Sequence, residues 1–202
     1  MSGTTMKPPP SGLAAGGLAI EFMFVDLTTC ERCLGTDQSL QEALKLTGDV
    51  LAATGVDVTV SKIHVTSAEQ ARELRFVSSP TIRVNGRDVA LELRESSCGC
   101  EACTDGRGDS IDCRVWVYQG QEYTEPPVPM VVAAIVRQVY GGTAVDAPLG
   151  GETYELPGNL ARFFAGREAL PATGDACCEP DEKAECCGAP ADDAPGGSCG
   201  CS

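Results

Sequence analysis

Sulfur dominates the reactive side chains of this chain: it carries twelve cysteines and a single histidine in 202 residues. The cysteines fall into three groups: Cys30/Cys33, then Cys98, Cys100, Cys103 and Cys113, then Cys177, Cys178, Cys186, Cys187, Cys199 and Cys201. Neighbours this close in sequence bridge to one another only with strain, but several thiolates can clamp one soft ion together. A thiolate is also the reactive form in disulfide exchange, and most free cysteine is protonated at neutral pH. At the start of a helix, Cys30 would gain from the positive end of the helix dipole, and Cys33 could resolve a mixed disulfide formed on it. Arg32 would favour the anion and Glu31 would oppose it. The alternative for this pair is half of a zinc knuckle or two inert buried thiols.

The second group supplies four sulfurs in a short stretch, enough for one tetrahedral zinc or another soft ion, all-thiolate because no histidine lies nearby. An iron–sulfur cluster meets the ligand count, but the spacing matches no common ferredoxin pattern. Two further alternatives are disulfides pinning the loop and a relay exchanging disulfides with Cys30/Cys33. The third group lies in an acidic tail (Asp175, Glu179, Asp181, Glu182, Glu185) and could deliver Cu(I), As(III), Hg(II) or Zn(II). His64, alone at a strand end, reads as a satisfied edge residue, and Trp116 as core.

These sulfurs need elements to position them. Residues 1–17, rich in Pro, Gly, Ser and Thr, read as disordered. Ala19–Leu27 reads as a buried strand, with the Cys30/Cys33 loop behind it. Helical spacing from Thr36 to Thr54 follows, capped by Thr36 or Asp37, and then a second strand on Val56, Val58 and Val60. A short helix is expected over 67–74, with Thr66 and Glu69 at capping-box spacing. Thr81–Val84 reads as a strand turning at Asn85-Gly86 and returning through Val89 to Leu93. A cysteine-rich loop, 96–113, precedes a strand at Val115–Tyr118 and a helix at Val128–Tyr140, with Pro129 in its first turn. Residues 143–170 read as a linker with a short helix near Leu160, Phe163 and Phe164. Residues 171–202 read as a disordered acidic tail that orders only through a metal or a partner.

This order of elements resembles that of the thioredoxin-like superfamily, on two pieces: Thr29-Cys30-Glu31-Arg32-Cys33 after the first strand, and Ser79-Pro80-Thr81 before the hairpin. The second resembles the loop in which such proteins set a cis-proline against the active dithiol. The span 18–142 is similar to a largely uncharacterised family of prokaryotic thioredoxin-like proteins and selenoproteins. The resemblance implies an α/β fold with a central mixed sheet flanked by helices. It also implies a redox site of Cys30, Cys33 and Pro80, working by thiol–disulfide exchange without a required cofactor. General thioredoxins carry Trp before the first cysteine and Gly-Pro between the two; Thr29 and Glu31-Arg32 here argue against broad protein-disulfide reduction. The paired tail cysteines are similar in arrangement to those of arsenite metallochaperones, which implies a non-enzymatic soft-metal or metalloid carrier as the alternative.

The net charge of −14 argues against a nucleic-acid surface, since such affinity comes from basic patches. No run approaches the roughly 20 apolar residues of a membrane span. Without a full signal-peptide pattern, the expected compartment is the cytoplasm, where dense cysteines are more often catalytic or metal-binding than structural. Expected partners are a thiol or disulfide protein, a small thiol, or a metal transporter.

Overall fold

The computed structural model describes residues 17–100, 103–104, 110–141 and 154–169. The described residues up to Arg167 make up one compact unit, and the division from a second falls at Glu168. All six tail cysteines and the disorder expected over 171–202 lie outside the described residues, as does all but the last residue of the disorder expected over 1–17.

The first unit has a mixed four-stranded sheet in the order Val58–His64 (β2), Leu18–Phe24 (β1), Thr81–Val84 (β3) and Arg87–Asp88 (β4). β1 (Leu18–Phe24) runs through its middle, parallel to β2 (Val58–His64) and antiparallel to β3 (Thr81–Val84). Ile20, Phe22, Met23 and Ile82 are fully buried, so β1 and β3 carry the core. The parallel β1–β2 pair needs a crossover, and α1 (Glu31–Ala53) supplies it. α1 packs against α3 (Val128–Tyr140), which also touches β3. The expected mixed sheet flanked by helices is therefore present.

Several boundaries differ from expectation, and the reasons are local. β1 stops at Phe24 because Asp26 collects the next backbone donors: its Oδ1 accepts from the N–H groups of Thr28, Thr29 and Cys30 at 3.0, 2.7 and 2.9 Å. That turn launches α1 at Glu31 with Cys30 as its N-cap, five residues before the expected start. Asp37, expected as a cap, instead pairs with Lys62 on β2 at 2.7 Å. β2 begins at Val58 and lies at the sheet edge, so its alternating valines mark no buried face; Val58 and Val60 are exposed. The capping box of α2 (Ala68–Glu73) is built one residue later than expected. Ser67 accepts the Gln70 N–H, and Gln70 Oε1 accepts the Thr66 N–H.

Asn85 and Gly86, both at positive φ (50° and 76°), form the expected tight turn. The returning strand β4 is only Arg87–Asp88, because Asp88 then turns the chain by accepting the Ala90 N–H. A second sheet, β5-β6-β7, comprises Arg94–Ser97, Asp112–Tyr118 and Gln121–Tyr123. Arg-Glu-Ser-Ser carries no strand-forming residue, so β5 is not legible from propensity. Register pairs Ser96 with Cys113, which turns the expected loop 96–113 into a hairpin with Cys113 on its second strand.

Arg114 ties this hairpin to the main sheet. It is fully buried, and its guanidinium donates to both carboxylate oxygens of Asp88 (3.2 and 2.9 Å) and to Thr81 Oγ1 (2.9 Å). It also lies over the ring of Trp116, which is wholly buried as expected. α3 spans the residues expected of it and stops at Gly141. α4 (Gly158–Glu168) brings Leu160, Phe163 and Phe164 into the core, and Asn159 donates to Glu95 on β5. Among the described residues no helix is long and apolar enough to cross a membrane.

Candidate metal centre

The sheet and the hairpin bring two of the three cysteine groups together. Cys30 sits at the N-terminus of α1 and Cys33 in its first turn, both fully buried. The β5–β6 hairpin then closes on this helix start. The Sγ atoms of Cys30, Cys98, Cys103 and Cys113 all lie within 4.8 Å of one another, and these four residues could hold a metal ion. Cys103 Sγ is 3.7 Å from Cys30 Sγ and 3.6 Å from Cys113 Sγ. Cys100 stands beside the quartet, 3.1 Å from Cys98 Sγ to Sγ. The four sulfurs expected to act together were Cys98, Cys100, Cys103 and Cys113; in the compact group Cys30 takes the place of Cys100.

Arg32 is the bridge between the two groups. Its guanidinium donates to the carbonyls of Ser96, Ser97, Cys113 and Arg114 at 3.1, 3.0, 3.1 and 3.4 Å, and to Ser96 Oγ at 3.0 Å. One of the two residues between the cysteines of the CxxC thus clamps both hairpin strands onto α1. On the other side, Cys33 Sγ lies 3.6 Å from Ser79 Oγ. Ser79 also accepts the Val25 N–H through its hydroxyl and the Arg114 N–H through its carbonyl, and the Ser79-Pro80 peptide is cis. Ser79, whose peptide bond to Pro80 is cis, therefore stands against Cys33.

Crowded thiols cannot all ionise in a buried site, so one favoured anion results. The anion is favoured most at Cys30, where S–H donation from Cys103, then Cys113 and Cys33, drives the pKa far down. The helix N-terminus works in the same direction. Cys33 is pushed up, first by donating to Cys30 and then by burial. Cys103 is pushed up by its hydrogen bonds to Cys113 and Cys30. In Cys113 the bond from Cys103 lowers the pKa, but the bond to Cys30 and burial outweigh it and the net shift is upward. Burial pushes Cys100 up to about 12. For Cys98, burial raises and hydrogen bonds from Cys100 lower, with lowering the net result.

The site is closed on one side and open on the other. Cys30, Cys33, Cys103 and Cys113 have no exposed surface, whereas Cys98 and Cys100 are half-buried. Those two, with Gly99, Thr29, Glu31 and Arg32, line a surface cleft of about 220 Å³. His64 stands apart from the sulfurs: its Nε2 is 2.9 Å from the Val25 carbonyl oxygen and its ring stacks on Phe24, the satisfied edge histidine expected.

The chain belongs to the family described as a domain of unknown function (DUF2703), which matches residues 18–135 and so takes in all six described cysteines. Neither the curated proteins nor the solved structures give a match.

Proposed function

We propose that the protein captures one thiophilic metal ion, Zn(II) or an ion of similar softness, between Cys30, Cys98, Cys103 and Cys113. The observation that carries this reading is the convergence of those four sulfurs from two distant stretches of chain. A zinc–sulfur distance of about 2.3 Å sets the edges of a tetrahedral four-sulfur site at about 3.8 Å. The separations of 3.6 and 3.7 Å at Cys103 already have that size. A cluster of several irons would hold its cysteines further apart, so a single ion fits better. Divalent charge would also let the neighbouring thiols ionise together. A reducing compartment such as the cytoplasm would keep the six thiols free, and the acceptor of the ion would be a metal transporter or another thiol protein. The tail cysteines, Cys177 to Cys201, would serve as a further delivery site.

The test is native mass spectrometry of reduced protein offered Zn(II) or Cd(II). The full chain with its six tail cysteines replaced by serine is expected to retain one ion. Further replacement of Cys103 by serine is expected to release it. Equal retention after Cys103→Ser would refute the reading.

A second reading is favoured by the setting of the dithiol: Cys30 as a helix N-cap thiolate, with Cys33 against the Ser79-Pro80 loop, suits thiol–disulfide exchange in a thioredoxin-like protein. Its substrate would have to displace the hairpin, since Cys30 has no exposed surface. Turnover of a small disulfide by metal-free protein, lost in Cys30→Ser, would support it.

A further inference from the structure

Cys98 belongs to two groupings at once. It is one corner of the buried quartet, and it is also 3.1 Å from Cys100 at the mouth of the cleft. We propose that Cys98 and Cys100 are a solvent-facing dithiol that a low-molecular-weight disulfide oxidises, and that closing their disulfide withdraws Cys98 from the four-sulfur site and frees its ion. The ion release rests on the metal reading above; the identity of the oxidised pair does not.

Three observations converge on this pair. The other four sulfurs of the site are fully buried, so an oxidant arriving through solvent meets Cys98 and Cys100 first. The cleft they line opens to solvent between Glu31 and Arg32 and gives a small disulfide such as oxidised glutathione a way to reach the pair. The residue between them, Gly99, has a φ of 68°, a left-handed conformation natural to glycine that lets both sulfurs face the same way. A disulfide closed over so short a span is strained, and strained, exposed disulfides are the readily reversed ones.

The chemistry balances as two exchanges. The Cys100 sulfur attacks one sulfur of the small disulfide, forming a mixed disulfide and expelling one thiolate, which takes up the proton that Cys100 gives up. The Cys98 sulfur then leaves the four-sulfur set and attacks the Cys100 sulfur, closing the intramolecular bond and expelling the second thiolate, which is protonated from solvent. Two protein thiols have been oxidised and one small disulfide has been reduced to two thiols. The ion's charge is unchanged, because both electrons lost by the two sulfurs pass to the small disulfide; it departs because Cys30, Cys103 and Cys113 alone hold it more weakly than four sulfurs do. A small thiol in excess reverses both steps and restores the site.

The experiment uses the full chain with the six tail cysteines as serine, loaded with Zn(II) and exposed to oxidised glutathione in the presence of a chromogenic chelator. Disulfides are mapped by peptide mass spectrometry after alkylation. The expected result is zinc release in step with a Cys98–Cys100 disulfide, and release slowed about tenfold or more in Cys100→Ser, which keeps the quartet. A first disulfide at Cys30–Cys33, or Cys100→Ser releasing zinc as fast as its parent, would overturn the proposal. If the reduced protein binds no zinc, the metal reading fails. The same mapping on metal-free protein then still decides whether Cys98 and Cys100 pair first.

Discussion

Replacing Arg32 by methionine tests whether the helix start and the hairpin act as one site. The substitution keeps the aliphatic stem and removes a guanidinium that donates to four backbone carbonyls and to Ser96 Oγ. Arg32 is only half-buried, so water replaces part of what is lost and the five bonds do not add. The loss of one charge-assisted bond is worth about 1.5–3 kcal/mol. If that much of the clamp is felt at the sulfurs, ion affinity falls about 10- to 100-fold, the range typical of groups that orient metal ligands. Competition titration of Zn(II) against a chromogenic chelator reads this directly. Arg32→Lys should fall in between, because an ammonium keeps the charge but cannot span both strands. Arg137→Met, on the exposed side of α3, changes net charge equally and should leave affinity alone. Zinc binding by Arg32→Met as tight as that of Arg137→Met would refute the clamp, and with it the idea that the CxxC and the hairpin form one centre.

Two further outcomes follow from the scaffold. Asp88→Ala should cost about 3–5 kcal/mol in urea unfolding, because it strands the guanidinium of the fully buried Arg114. Adding Arg114→Met should recover much of that loss; a cost below about 1 kcal/mol for Asp88→Ala would contradict the assignment. Asp26 gives a pH signature. Burial opposes its charge, but the N–H donors of Thr29, Cys30 and Thr28 and the Thr28 hydroxyl outweigh burial and hold its pKa below the ordinary 3.8. A depressed carboxyl contributes stability that is fully present above its unfolded value and is lost as pH falls through the folded one. The stability gap between the parent protein and Asp26→Asn should therefore be constant near neutrality and shrink below about pH 4. A gap that widens in acid would contradict this.

Much of the fold was legible because its strongest elements obey local rules. Thr81–Val84, the Asn85-Gly86 turn and the Val128–Tyr140 helix follow from strand formers, a positive-φ pair and an apolar helical run. The start of α1 was hidden because its cap satisfaction comes from Asp26, which precedes the CxxC and accepts its backbone donors, rather than from a residue at the N-cap. β5 was hidden because its strand character comes from pairing with β6, not from its own side chains. The site was half legible. Spacing marks Cys98, Cys100, Cys103 and Cys113 as a set, but spacing cannot show that Cys30, more than sixty residues earlier, stands among them. Arg32 was the available clue: an arginine inside a CxxC is a fork of donors at the dithiol, and its partners turned out to be carbonyls of the hairpin.

In the proposed metal site Cys30 completes the four-sulfur set and Cys100 stays outside it. X-ray absorption of the zinc-loaded full chain, with the tail cysteines as serine, counts the sulfurs on the metal. The parent and Cys100→Ser should both show four sulfurs at about 2.3 Å, and Cys30→Ser should show three with one lighter atom. Four sulfurs retained in Cys30→Ser, with three in Cys100→Ser, would place the ion in the hairpin alone and contradict the account.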